Sequence, residues 1–90
     1  MSDAGVKIKI MPDSPDADLE EIESEAKEVI EENEGKVSKT EKENIAFGLK
    51  AIIITFTINE TFEQDPILDE LREIDHVNSA EIIDFRRIGF

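Results

Sequence analysis

The chain changes twice from residues typical of a β-strand to the apolar spacing of an α-helix, and this limits the possible folds. Residues 5–12 place Val6, Ile8 and Ile10 at every second position, which is typical of a half-buried strand. Residues 18–33 then carry apolar residues at steps of three, four, three and one, which is the stripe of an amphipathic helix. Those residues are Leu19, Ile22, Ala26, Val29 and Ile30. The chain therefore begins with a predicted strand followed by a predicted helix.

The polar residues that flank this helical stretch predict its ends. Asp18 is a favourable N-cap residue, and Glu21 three positions later completes a capping-box pattern. Gly35 follows the last apolar residues, so we expect it to take the positive φ angle of a helix C-terminus.

The second half of the chain predicts two strands and a helix. Residues 36–44 are rich in lysine and glutamate, which is typical of an edge strand, and residues 49–58 are mainly β-branched and aromatic, which favours a central strand. A polar connection over residues 59–64 leads to Asp65 and Pro66, a cap residue before a proline at the first helical position. A short helical stripe follows, made of Ile67, Leu68, Leu71 and Ile74.

Residues 76–88 predict a last strand whose alternation breaks once. Ala80 and Ile82 share one side, whereas Phe85 has the opposite parity. A β-bulge near Ile83 and Asp84 would bring them to the same side, so we expect one there.

The complete order, βαββαβ, predicts an α+β, ferredoxin-like split βαβ sandwich. In this fold two helices cover one face of a four-stranded antiparallel sheet, and the other face is exposed or used for contacts. Residues 1–90 have the length of one small domain, so we expect a single domain. This fold serves many functions, so function has to be argued from particular residues.

The charge balance narrows the classes of partner. The chain has 23 acidic and 10 basic residues and a net charge of −13. Residues 13–34 contain most of the excess, so we expect either a helix face that attracts a basic protein or one that only aids solubility. The same charge disfavours direct binding to nucleic acids and to anionic membranes. No apolar run approaches the ~20 residues that span a bilayer, so we expect a cytoplasmic protein.

Residues suited to covalent chemistry or metal binding are scarce. Cysteine is absent, His76 is the single histidine, and the four glycines are too scattered for a phosphate-binding loop. We expect His76, at a helix–strand junction, to serve a cap or a turn. Asp13, Asp16 and Asp18 lack the glycine and the glutamate of a calcium loop. The sequence therefore predicts neither an enzyme nor a cofactor or metal site.

Two features stand out as candidate contacts with a partner. Ile45, Ala46, Phe47 and Gly48 form an apolar stretch at a bend, and its phenylalanine could anchor a partner or fold back onto the core. Arg86 and Arg87 are adjacent on the last strand and point to opposite sides, so only one of them need pair within the chain.

Several segments resemble a known family. Residues 45–51, IAFGLKA, closely resemble a signature of translation elongation factor 1-beta. Residues 6–12, VKIKIMP, and 16–20, DADLE, are similar to the start of its archaeal members. Residues 76–82, HVNSAEI, and 84–88, DFRRI, are similar to its closing strand and its ending. The resemblance covers essentially the whole chain.

The resemblance implies a ferredoxin-like fold and a function. Members of the family replace GDP by GTP on elongation factor 1-alpha, the GTPase that brings aminoacyl-tRNA to the ribosome. It also implies that Phe47 and its neighbours contact the GTPase. By the same resemblance Arg87 stands where relatives have a penultimate lysine directed at magnesium and phosphate, and Arg86 could share that role. The alternative is a regulatory or scaffold module that binds a metabolite or a protein, which the rigid acidic loop at residues 11–15 disfavours.

Overall fold

Four strands and two helices follow one another in the predicted order. The computed structural model describes residues 3–59, 61 and 65–88, so most of the predicted polar connection over 59–64 lies outside the described residues. The strands are β1 (Asp3–Pro12), β2 (Lys36–Asn44), β3 (Lys50–Asn59) and β4 (Val77–Ile88), and the helices are α1 (Leu19–Glu32) and α2 (Asp65–Arg72). The sheet has the order β2-β3-β1-β4 with antiparallel neighbours. The ferredoxin-like fold class is confirmed, with β2 at an edge. Helix α2 begins at Asp65, one residue before the predicted start.

The core lies between the sheet and the two helices. The alternating residues of β1 and β3 are fully buried on the side that the helices cover. They pack against the predicted apolar stripes of α1 and α2. Burying each large aliphatic or aromatic side chain contributes roughly 1.5–3 kcal/mol, so this layer is the main source of stability. Its largest members are Phe56, Ile8, Ile10, Ile30, Ile52, Ile54, Ile67 and Leu71.

The predicted bulge in β4 is present. Lys7 pairs with Asp84 and Ile8 pairs with Ile82, which leaves Ile83 as the additional residue. The bulge brings Phe85 to the same side as the core residues. It also places Arg86 opposite Gly5 on the free face of the sheet.

The N-terminus of α1 is capped as the sequence predicts. The Asp18 carboxylate accepts hydrogen bonds from the backbone N–H groups of Glu20 and Glu21, at 3.1 and 3.2 Å. These bonds satisfy two backbone donors that have no partner within the helix.

The prediction for Gly35 was wrong, because the left-handed residue after α1 is Glu34, with φ 69°. The N–H groups of Glu34 and Gly35 bond to the carbonyls of Glu31 and Ile30, a Schellman arrangement. Glycine is needed at position 35, next to Glu34, because the structure leaves no room for a side chain there. A Cβ on Gly35 would lie 2.6 Å from Ile30 Cγ2 and 3.2 Å from Phe56 Cδ2.

We expect Gly35→Ala to lower the free energy of unfolding by about 1–3 kcal/mol, because the added methyl overpacks the core. Glu34→Gly is the matched control, and it should raise stability by about 1 kcal/mol by removing left-handed strain. Urea denaturation of both variants measures the two changes. A Gly35→Ala protein as stable as the wild type would contradict this account of the helix end.

Candidate functional site

The loop between β2 and β3 is a tight turn with an unusual residue in it. Leu49 N–H donates to the Ala46 carbonyl at 2.9 Å, which closes the turn, and Ile45 N–H donates to the Leu49 carbonyl. Phe47 and Gly48, the two central residues, have φ angles of 54° and 81°. Positive φ at both positions defines a type I′ turn, which usually takes asparagine or aspartate followed by glycine. Here a bulky aromatic residue occupies the first of these positions.

Phe47 points away from the core. Its side chain is 96% exposed, so of the two predicted placements the structure excludes the one in which it folds back. A left-handed residue other than glycine costs roughly 1–2 kcal/mol, and no burial within the described residues offsets that cost for Phe47. Strain combined with an exposed aromatic is typical of a contact site.

The turn lies beside two other connections of the chain. A Cβ on Gly48 would lie 3.7 Å from the Pro15 Cβ, so the turn approaches the loop between β1 and α1. That loop is tied to the residue before β4, because Asp13 N–H donates to the His76 carbonyl at 2.8 Å. His76 has φ 70°, which confirms its predicted role in a turn.

Arg86 and Arg87 lie on opposite sides of the sheet, as the sequence predicts. Arg86 is on the free face, where its Nε lies 3.2 Å from Asp84 Oδ2, and its side chain is 81% exposed. Arg87 pairs with Ala4, so it lies on the side that the helices cover, and it is exposed.

The structure does not bring the arginines and Phe47 together. Arg86 pairs with Gly5, and Gly5 pairs with Thr57 on its other side. Thr57 is ten positions along the chain from Phe47. At about 3.3 Å per residue this is a separation of roughly 30 Å. The long axis of the molecule is 42 Å, so the two groups of predicted site residues occupy opposite ends of the sheet.

Sequence reasoning missed the lysines that accompany Arg86 on the free face. Lys7 and Lys39 pair with Thr55 from either side. Lys39 Nζ lies 2.9 Å from Glu41 Oε1, and this hydrogen bond and charge lower the pKa of Glu41. The alternation of residues 5–12 already placed Lys7 on the polar side of β1. Only the strand register shows which residues of the other strands stand beside it.

The acidic residues predicted on α1 lie on the opposite side of the molecule. An open groove of about 310 Å³ runs between α1 and α2, with Val29 and Ile74 in its lining and six carboxylates around them. Within residues 3–59, 61 and 65–88, no three acidic or histidine side chains are placed to hold a metal ion. The six carboxylates belong to Glu25, Glu28, Glu32, Glu70, Glu73 and Asp75.

No helix in the part of the chain that the structure describes is long and apolar enough to cross a membrane.

The fold and the hairpin turn define a small α+β domain of ferredoxin-like type with an exposed aromatic residue on that turn. Its backbone is similar to the ACT domain from GTP pyrophosphokinase of Chlorobium tepidum, with a TM-score of 0.61 over 90% of this chain and 99% of that chain. The two are 17% identical, so this likeness shows the fold alone.

The sequence model of the EF-1 guanine nucleotide exchange domain matches residues 5–88. The chain is 42% identical to elongation factor 1-beta of Nanoarchaeum equitans over 84% of this chain and 94% of the relative. It is 37% identical to elongation factor 1-beta of Methanosarcina barkeri over 98% of this chain and all of the relative. The chain therefore belongs to the elongation factor 1-beta family, which confirms the resemblance found in its sequence.

Proposed function

We propose that the chain is a guanine nucleotide exchange factor that promotes replacement of GDP by GTP on elongation factor 1-alpha during translation elongation. The observation that carries this proposal is Phe47, a fully exposed aromatic on a strained turn within the family's exchange domain. We propose that the factor acts in the cytoplasm, and that it binds neither nucleic acid nor membrane directly. It makes and breaks no covalent bond.

The mechanism is thermodynamic linkage between two binding events. The factor binds the nucleotide-free conformation of the GTPase more tightly than the GDP-loaded one. By linkage, its binding must then weaken GDP binding by the same factor. Such a factor needs contact surfaces but no nucleophile, cofactor or metal of its own.

The proposed contacts lie at the two ends of the sheet. Residues 45–48 form the first, where Phe47 anchors the GTPase and Gly48 permits the turn. Arg86 and Arg87 form the second, where a guanidinium disturbs the magnesium and phosphate region of the partner electrostatically. The roughly 30 Å between the two ends requires a partner that contacts the whole length of the sheet. The acidic α1 attracts a basic partner from a distance.

We expect Arg87→Ala to slow exchange without unfolding the domain, because Arg87 is exposed and, by the resemblance, stands where relatives have a lysine. Arg86→Ala is the paired variant, and it tests whether the neighbouring guanidinium shares the role. Rates of GDP release and thermal unfolding of both variants give the answer. Full activity in both would remove the arginines from the site and leave the function in place.

Co-purification tests the proposed partner. Elongation factor 1-alpha stripped of nucleotide should elute with the chain in gel filtration, and added GDP should separate the two proteins. A complex that forms equally well in the presence of GDP would count against exchange by linkage.

A further inference from the structure

The fold gathers four cations on the free face of the sheet from three different strands. Arg86 of β4 lies in one row with Gly5, Thr57 and Lys36, as the pairing of the strands shows. The next row contains Asp84, Lys7, Thr55 and Lys39. We call Lys7, Lys36, Lys39 and Arg86 the cationic patch.

The sign of the charge in these two rows is opposite to that of the chain. They hold four of the 10 lysine and arginine residues of a chain with a net charge of −13, and Asp84 is their one carboxylate. The row of Lys9 has Glu81 and Glu41, and the latter also bonds to Lys39. The row beyond Arg86, towards the end of the sheet away from Lys9, contains Asp3. The positive charge is therefore confined to the end of the face that carries Arg86.

The surface of the cationic patch has a depression between Lys7 and Arg86. A cavity of about 260 Å³ is lined by Gly5, Val6, Lys7, Thr55, Asp84 and Arg86. The hydroxyl oxygen of Thr55 is buried and has no hydrogen-bond partner among the described residues. The ammonium and guanidinium groups around it can donate to carboxylate oxygens, and charge-assisted bonds of this kind are the strong ones.

We propose that the cationic patch is a further docking surface for the GTPase and that it receives an acidic segment of that partner. This inference rests on the proposed function. Complementary charge between the patch and that segment would raise the association rate and fix the orientation of the factor. The acidic helices on the opposite side of the sheet would repel the same segment.

Charge reversal on β2 tests the cationic patch with a matched control. Lys39→Glu changes the patch, whereas Lys42→Glu makes the same change in net charge on the same strand. Lys42 is exposed and pairs with Ile52, so it lies on the other side of the sheet. We expect Lys39→Glu to lower the second-order rate constant of GDP release about fivefold to tenfold relative to Lys42→Glu at low salt. The difference should shrink at about 0.5 M salt, where exposed charges are screened.

Lys36→Glu repeats the test at a patch residue that is not bonded to Glu41. If the wild type accelerates release but the patch variants have the same rate as Lys42→Glu, the docking role of the cationic patch is wrong. The proposed function would still stand. A wild type that does not accelerate release would instead remove the proposed function, and the inference with it.

Discussion

Replacing Phe47 with alanine should reduce the acceleration of GDP release about 30-fold or more, because truncating an aromatic hot spot costs about 2–4 kcal/mol of binding. The free energy of unfolding should stay close to that of the wild type, since a side chain that is 96% exposed contributes little burial. Stopped-flow release of labelled GDP measures the first effect, and urea denaturation measures the second.

Two further variants separate contact from conformation at this position. Phe47→Gly removes the left-handed strain, so it should be about 1 kcal/mol more stable than the wild type and as inactive as Phe47→Ala. Ile83→Ala truncates another exposed apolar residue, on the bulge of β4, and should leave exchange unchanged. Wild-type rates for Phe47→Ala would contradict the anchor role of the turn.

Phe56→Ala should lower the free energy of unfolding by about 3–5 kcal/mol, which is a large part of the 5–15 kcal/mol typical of small domains. Phe56 is fully buried at the centre of the sheet, where β3 pairs with Val6 of β1 and Val37 of β2. Its ring also occupies the space beside Gly35, where a Cβ would lie 3.2 Å from Phe56 Cδ2. Its loss therefore leaves a cavity between α1 and the sheet.

Phe85→Ala is the matched control for this core prediction. Phe85 is 43% exposed at the edge strand β4, so the same truncation should cost clearly less than at Phe56. Denaturation curves of the two variants give the comparison. An equal loss of unfolding free energy in the two variants would contradict the claim that burial of Phe56 contributes its larger effect.

Most of the fold follows from local patterns, and the errors have a common cause. Apolar periods predicted β1 and the two helices, composition predicted β2 and β3, and the parity of Phe85 predicted the bulge in β4. Gly35 was assigned the wrong role because the residue that turns left-handed depends on where α1 ends. The need for glycine there comes from the close approach of Ile30 and Phe56, which the spacing of residues does not show.

The candidate site was predictable only in part, because local patterns show neither turn geometry nor strand register. An aromatic at a bend suits both a contact and a core position, and only the turn geometry places Phe47 outside. The separation of Phe47 from the arginines and the clustering of Lys7 with Lys39 depend on the strand register. Neither follows from the spacing of residues along the chain.

The most direct measurement of the central claim is the rate of labelled GDP release from elongation factor 1-alpha at increasing concentrations of the wild-type chain. We expect the rate to rise with concentration and to level off well above the intrinsic rate of the GTPase, while the chain itself stays chemically unchanged. A release rate equal to the intrinsic one at saturating concentration would contradict the exchange function.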